Sequence, residues 1–467
     1  MLNCLSALTH FEFCSIIRFF SILLTLNRTM PDKKLGLWTS TSLVVGNMIG
    51  AGIFLMPAAL SSFGSISLVG WVFAAIGSFF LAKVFSNLSK LLPHVTGGPY
   101  AYTHYGFSNF AGFLVGWGYV LAVSCANAAI VVSFVSALST FFPILATNVI
   151  AAVVTGLIAI WLLTYINTRG IMISGKLQLT TTILKLLPLF IIAIGGLFFI
   201  HVKNFMPFNS SGTSVMSAIA ACASYTMFAF VGIESAVISS SSINDARNTA
   251  SRATMLGLFI CTLVYLLGSI SIMGIIPQNT LQHSVTPFAD AAAIMFGGNA
   301  RYWVSAGVTI AAFGALNGWT LISGQILYAI AKDKLFPAMF AKQNKKKAPY
   351  VGMIVNSAMV SIFMVMNYSK GLTAEFKFLL LLSVILIFVP YVFSTAAYII
   401  IRLNTNQAHK KGQSWATIVA VLAFLYSLWT IIGSGAEAVY YGFIFLLLGI
   451  PVYVWMVYKN KSRDAQN

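Results

Sequence analysis

Apolar runs of about twenty residues recur along almost the whole chain, separated by short polar stretches, and that is the length an α-helix needs to cross a hydrocarbon core. The pattern predicts twelve spans, at 36–62, 66–88, 110–140, 146–167, 178–201, 213–240, 253–276, 301–331, 348–367, 374–401, 414–433 and 437–458. No long polar domain interrupts them. The expected division is an N-terminal segment 1–35, one all-α transmembrane domain 36–458 and a short tail 459–467.

Two spans violate their own apolar pattern. Span 1 reads VVGNMIGAGIFLMPAAL over 44–60, with three glycines and Pro57 in the middle of the crossing. Glycine weakens a helix, and proline removes a backbone donor. At that depth irregular backbone survives only where protein or a water-filled cavity satisfies it. A break bares amides at the start of one half-helix and carbonyls at the end of the other. The amides suit a carboxylate and the carbonyls a cation, so a break can hold both charged groups of a free amino acid. Glycines alone also permit tight helix crossings. Span 6, however, has its own interruption: SYTMFAFVGIESAVISSSS (224–242) places Gly232 and Glu234 mid-way. Broken helices at matching places in two halves point to a transport site between repeats. Spans 1 and 6 would each open a five-helix unit, leaving spans 11 and 12 outside.

Composition agrees with the pattern. Of 467 residues 59% are hydrophobic and 8% charged, with a mean hydropathy of +0.89, against about 25% charged in soluble domains. The net charge of +18 does not argue for nucleic acid, because its distribution is a topology signal. With the start of span 1 in the cytoplasm, the inside segments hold nineteen Lys and Arg, among them Lys33, Lys34, Lys90, Arg169 and the run Lys345–Lys347. The outside segments hold four: Lys203, Arg301, Lys370 and Lys377. By the positive-inside rule both termini are cytoplasmic. The rival reading of KKK at 345–347 is a lipid-headgroup or nucleic-acid patch. Five cysteines show no paired or metal-type spacing, so neither a disulfide framework nor a metal or other cofactor is implied. Near the N-terminus, SIIRFFSILLTL is apolar but short, interrupted by Arg18 and followed by no small-residue cleavage site. Translation starting at Met30 is expected, a signal peptide being the alternative.

Several side chains stand out against their apolar surroundings. Glu234 is the acid deepest in a span; a mid-membrane carboxylate marks a functional site by default, as a proton carrier or a post for the broken segment. The bland alternative is a protonated acid bonded to backbone at the break. Lys185, in LQLTTTILKLLPLF (177–190), sits eight residues into span 5. Its ammonium could meet the carbonyls of the span 1 break and cycle a proton there, or snorkel along its four-carbon stem toward the surface. Trp319 lies well inside span 8, where an indole stacks on a cation, gates a cavity or simply fills space. Asn127 in span 3 and Ser383 in span 10 are polar points most simply used as interhelical hydrogen bonds.

A channel would need a continuous polar stripe, and no span shows one. An enzyme would need a catalytic set. The six histidines are scattered, and no Ser–His–Asp, HExxH or paired-carboxylate spacing occurs, so the protein is expected not to be an enzyme.

The stretches GNMIGAGIFLMPAAL (46–60), TGGPYAYTHYGF (96–107), FVGIESA (230–236), PFADAA (287–292), NGWTLISGQ (317–325), KDKLFP (332–337) and SGAEAV (434–439) give the chain a family likeness. From about residue 36 onward it resembles transporters of the amino acid–polyamine–organocation superfamily, most of all their arginine/agmatine antiporter branch. The resemblance implies the five-plus-five inverted repeat of sodium-coupled leucine transporters plus two helices, in a homodimer of the bacterial inner membrane. It also implies antiport of a cationic amino acid against its amine by alternating access.

Residue by residue, the resemblance implies that Ala51 and Gly52 offer amides to the substrate carboxylate. Met48 and the carbonyls of Phe228 and Val231 would lie by the amino group. Asn127 would contact the break or the side chain, Trp319 would stack on it, and Ser383 would reach its far end. Glu234 would link the broken helix to the site, and Tyr119 resembles an extracellular-side gating tyrosine. Phe228 departs from that branch, which has a gating tryptophan there. Lys185 departs too, and resembles the span 5 lysine of proton-coupled permeases. A proton-coupled symporter, for neutral amino acids among others, therefore stays open beside the antiporter.

Overall fold

The computed structural model describes residues 35–50, 52–93, 95, 97–240, 243, 245–284, 286–367, 372–405 and 413–464. The chain divides into a unit Met1–Leu35 and a unit Gly36–Asn467; all that follows concerns the second. The expectation about Met30 lies outside the described residues, as do Lys33 and Lys34.

The described residues hold ten helices long and apolar enough to cross a membrane. The other two expected spans are shorter apolar helices, Val215–Phe230 for span 6 and Tyr350–Asn367 for span 9. Span 6 is short because it stops at its break. A third short helix, Pro287–Phe296, carries the PFADAA stretch between spans 7 and 8. Span 5 begins at Ile171, seven residues before the expected 178. Its first turns look like a loop in sequence because Ser174 and Lys176 are polar, yet Ser174 is fully buried. Span 12 is two helices, Ala436–Leu447 and Gly449–Asp464, the second running past 458 into the expected tail.

Packing partners reveal the internal repeat. Span 1 packs on spans 5 and 7; span 6, its counterpart five helices later, packs on spans 10 and 2. Span 3 packs on span 10 as span 8 packs on span 5, and the pairs 3 with 8, 2 with 7 and 4 with 9 are in contact. Adding or subtracting five turns each of these pairs into another, or into itself. Because five crossings leave the chain on the opposite side, the second unit is inverted relative to the first. Span 11 packs on spans 2, 6 and 10, and span 12 on spans 3 and 10, outside the repeat.

Candidate functional site

The first half of span 1 is the helix Leu37–Met48 and the second the helix Gly52–Ser61. Ile49 leaves the helical region, with φ −77° and ψ 72°, and the Gly50 amide bonds back to the Met48 carbonyl at 2.8 Å. The break is therefore the work of the glycine stretch. Pro57 lies inside the second helix, one turn beyond it. Ala51 lies outside the described residues.

Carbonyls at the end of the first half-helix are met by donors. Lys185 Nζ donates to Gly46 O at 2.6 Å and to Ile49 O at 2.5 Å, and Trp319 Nε1 donates to Asn47 O at 3.1 Å. Lys185 has no exposed surface, so its amine lies on the break instead of reaching the surface. Burying an ammonium costs several kcal/mol, offset only by good hydrogen bonds; two backbone oxygens at short distance are such partners. Glycine at 46 is needed for the approach of span 5, because a methyl there would collide with Gln178 Nε2.

Span 6 breaks differently. Its helix ends at Phe230, Val231 is extended, and Gly232 takes φ +114°, a conformation that favours glycine. The carboxylate of Glu234, fully buried, turns back onto the break. Tyr119 of span 3 donates to its Oε1 at 2.5 Å, Tyr391 of span 10 to its Oε2 at 2.6 Å, and the Gly232 amide to Oε2 at 3.2 Å. The two breaks are joined directly, since Asn47 Nδ2 donates to Ser235 Oγ at 2.9 Å.

A cavity of about 10 Å³ lies between the breaks, about enough for a single water. Four of the anticipated residues, Met48, Phe228, Val231 and Trp319, line it, together with Asn47, Gly50, Ala126, Ile130 and Ala229. Lys185, Glu234 and Tyr119 stand behind this wall and hold its backbone in place. Gly52 starts the second half of span 1 and is not among the described lining residues. Ser383 Oγ donates to Ala122 O at 3.0 Å, joining spans 10 and 3. Asn127 is fully buried, and neither polar atom of its amide has a partner; each such buried group costs about 1–3 kcal/mol.

Sequence reasoning missed two groups of residues. Tyr391 follows Pro390 in the middle of span 10, far from the interfaces where tyrosine usually sits, and that depth was its signal. The other group is a chain of amides. Gln178 Nε2 reaches Asn47 Oδ1 at 3.5 Å, Asn317 Nδ2 donates to Gln178 Oε1 at 3.2 Å, and Asn167 Nδ2 to Asn317 Oδ1 at 3.0 Å. Ser174 Oγ closes it on Asn167 Oδ1 at 2.7 Å. Ser174, Gln178, Thr181, Thr182 and Lys185 are all buried and fall on one face of span 5 at helical spacing. At one end of the bundle the stretches TGGPYAYTHYGF and KDKLFP meet, Tyr100 Oη donating to Asp333 Oδ2 at 2.7 Å.

The sequence model of the amino acid permease family matches residues 35–457. The chain is 31% identical over 457 residues to the arginine/agmatine antiporter of Chlamydia felis, covering 94% of this chain and 93% of that protein. It is 30% identical over 432 residues to the putrescine transporter PotE of Haemophilus influenzae, covering 92% of this chain and 98% of that one. Among solved structures, a sodium-coupled sialic acid symporter in its substrate-bound, outward-open state superposes with a TM-score of 0.56 over 86% of this chain and 89% of that one. At 12% identity that likeness concerns the fold alone.

Proposed function

Because the chain belongs to the amino acid permease family, we propose that the two breaks and the cavity between them are the site of an amino-acid exchanger working by alternating access. The substrate is a cationic amino acid and the counter-substrate its amine, as the names of the arginine/agmatine and putrescine relatives suggest. The observation that carries the reading is the cavity bounded by both breaks. The second half of span 1 starts at Gly52 and aims the positive end of its dipole toward the break. The substrate carboxylate sits on the amides of Ala51 and Gly52, and the amino group lies by Met48 and the carbonyls of Phe228 and Val231. Trp319 covers the side chain, with Asn127 and Ser383 toward its end. Glu234, clasped by Tyr119 and Tyr391, keeps the span 6 backbone in register. The protein sits in the bacterial inner membrane as a homodimer with both termini in the cytoplasm.

Counterflow in proteoliposomes tests exchange. Labelled arginine should enter vesicles loaded with agmatine or arginine and be indifferent to a proton gradient; gradient-driven uptake into empty vesicles overturns the obligate exchanger. One observation favours a second reading, proton-coupled symport. Lys185 places a titratable amine directly on the carbonyls of the span 1 break, where its charge bears on the geometry of the cavity. Gradient-driven uptake that is lost in Lys185→Ala would select that reading.

A further inference from the structure

The loops joining span 4 to span 5 and span 8 to span 9 are fastened together. Asn344 Nδ2 donates to Thr168 O at 2.6 Å, and a methyl group on Gly170 would lie 3.5 Å from Lys346 Cβ. Asn344 Oδ1 accepts from the amides of Lys346 at 2.9 Å and Ala348 at 3.1 Å. The Lys347 amide donates back to Asn344 O at 2.9 Å. Lys345, Lys346 and Lys347 thus stand on a closed turn beside Arg169, and all four are exposed. No acid occurs in the sequence between Asp32 and Glu234 or between Asp333 and Glu375. Among the described residues Arg169, Lys345 and Lys346 form no ion pair, whereas His104–Asp333 and Arg301–Asp290 pair elsewhere. A charge bias that only orients a chain needs cations on one side of the membrane. It does not need them fixed next to one another, where they repel.

The outward face of span 4 sets the depth of this cluster. Val154, Ile158, Trp161 and Tyr165 are exposed and, with Arg169, follow one another at helical spacing on one face. Along that face the surface changes from aliphatic to aromatic to cationic. The Arg169 guanidinium lies over the Tyr165 ring, 4.7 Å from its centroid. Tryptophan and tyrosine on a membrane helix mark the headgroup level, so the cations stand where the bilayer presents its phosphates.

We propose that Arg169, Lys345 and Lys346 hold the phosphate of an acidic phospholipid whose acyl chains lie along the outward face of span 4. The guanidinium suits a phosphate because its donors form a planar fork, and the lysines add charge from a turn already closed before the lipid arrives. The aliphatic and aromatic part of the stripe decides the partner: a soluble phosphate or a nucleic acid would use only its cationic end, whereas a lipid covers its whole length. A bound lipid would bridge the ends of spans 4 and 9 at the turn that Asn344 ties to Thr168. The site needs only that the chain spans a membrane, and goes beyond the transport reading without resting on it.

The test titrates purified full-length protein in detergent micelles with phosphatidylglycerol, phosphatidylcholine, inorganic phosphate or a short oligonucleotide, reading the melting temperature. Phosphatidylglycerol should stabilise at a lower lipid fraction than phosphatidylcholine, and neither soluble anion should stabilise. Removing three charges in Arg169→Gln, Lys345→Gln, Lys346→Gln should raise the half-saturating fraction of phosphatidylglycerol at least about tenfold, since each cation near a membrane surface is worth about fivefold. Should that variant fail to fold, Lys345→Gln with Lys346→Gln, which keeps Arg169 on Tyr165, is read in the same way. The control Lys90→Gln, Arg247→Gln, Arg252→Gln removes three charges from the same end of the bundle and should change the fraction by less than about twofold. An equal shift in the control overturns the proposal in favour of a diffuse attraction, and an unmoved fraction in the folded variant overturns it outright. Equal stabilisation by phosphatidylcholine removes the phosphate's role. Stabilisation by inorganic phosphate or the oligonucleotide that the Gln variant loses assigns the cations to a soluble anion and overturns the lipid.

Discussion

The two breaks occupy equivalent places in the repeats and are held by equivalent helices, yet with opposite chemistry. Span 1 is gripped from spans 5 and 8, by the ammonium of Lys185 and the indole of Trp319. Span 6 is gripped from spans 10 and 3, by the phenols of Tyr391 and Tyr119. Subtracting five from 10 and adding five to 3 converts one grip into the other. In both, donors arrive from outside the broken helix. At span 1 they reach bare carbonyls; at span 6 they reach a carboxylate that the helix itself supplies. A broken membrane helix needs its freed acceptors satisfied, and the same architecture has met that need once with a basic side chain on backbone and once with phenols on an acidic one. Only the first grip places a basic amine on the cavity's backbone.

Substitutions can break this comparison. The largest effect is expected from Lys185→Ala, which should abolish any proton-driven uptake while exchange persists. Gradient-driven uptake that survives in the variant would remove the amine from coupling and leave both grips purely mechanical. Trp319→Leu should follow, with a loss of counterflow of about a hundredfold, since the residue both covers the cavity and holds Asn47 O; full activity would show the cavity to be misplaced as the site. Tyr391→Phe should cost about tenfold in turnover, the loss of one hydrogen bond to a charged group. Adding Tyr119→Phe should lower the melting temperature by more than the two single changes together, because the carboxylate then stays buried without a side-chain partner. Additive effects would mean that the span 6 grip is not a unit. Ser383→Ala marks the floor, about threefold on counterflow, in line with the ~0.6 kcal/mol of an average interhelical hydrogen bond in a membrane.

What could be read beforehand depended on rarity. The glycines of span 1, Glu234 and Lys185 are visible because each violates an apolar run, and the cost of that violation implies a purpose. Gln178 and Asn317 were invisible because a single polar residue in a membrane helix is ordinary, and its role depends on which helix lies opposite. That neighbour is fixed by the repeat, through pairs such as span 3 with span 10, and not by local spacing. Tyr119 shows the same limit. Resemblance suggested a gate on the outer side; that its hydroxyl lies on Glu234 could be seen only in the structure. Pro57, conspicuous in sequence, is absorbed one turn past the break it was expected to help make.

The narrowness of the space between the breaks has a consequence for the cell. A bilayer protein with a permanent aqueous path would short-circuit the ion gradients on which energy supply depends. A chamber with room for about one water has no space for a file of ions between the two breaks.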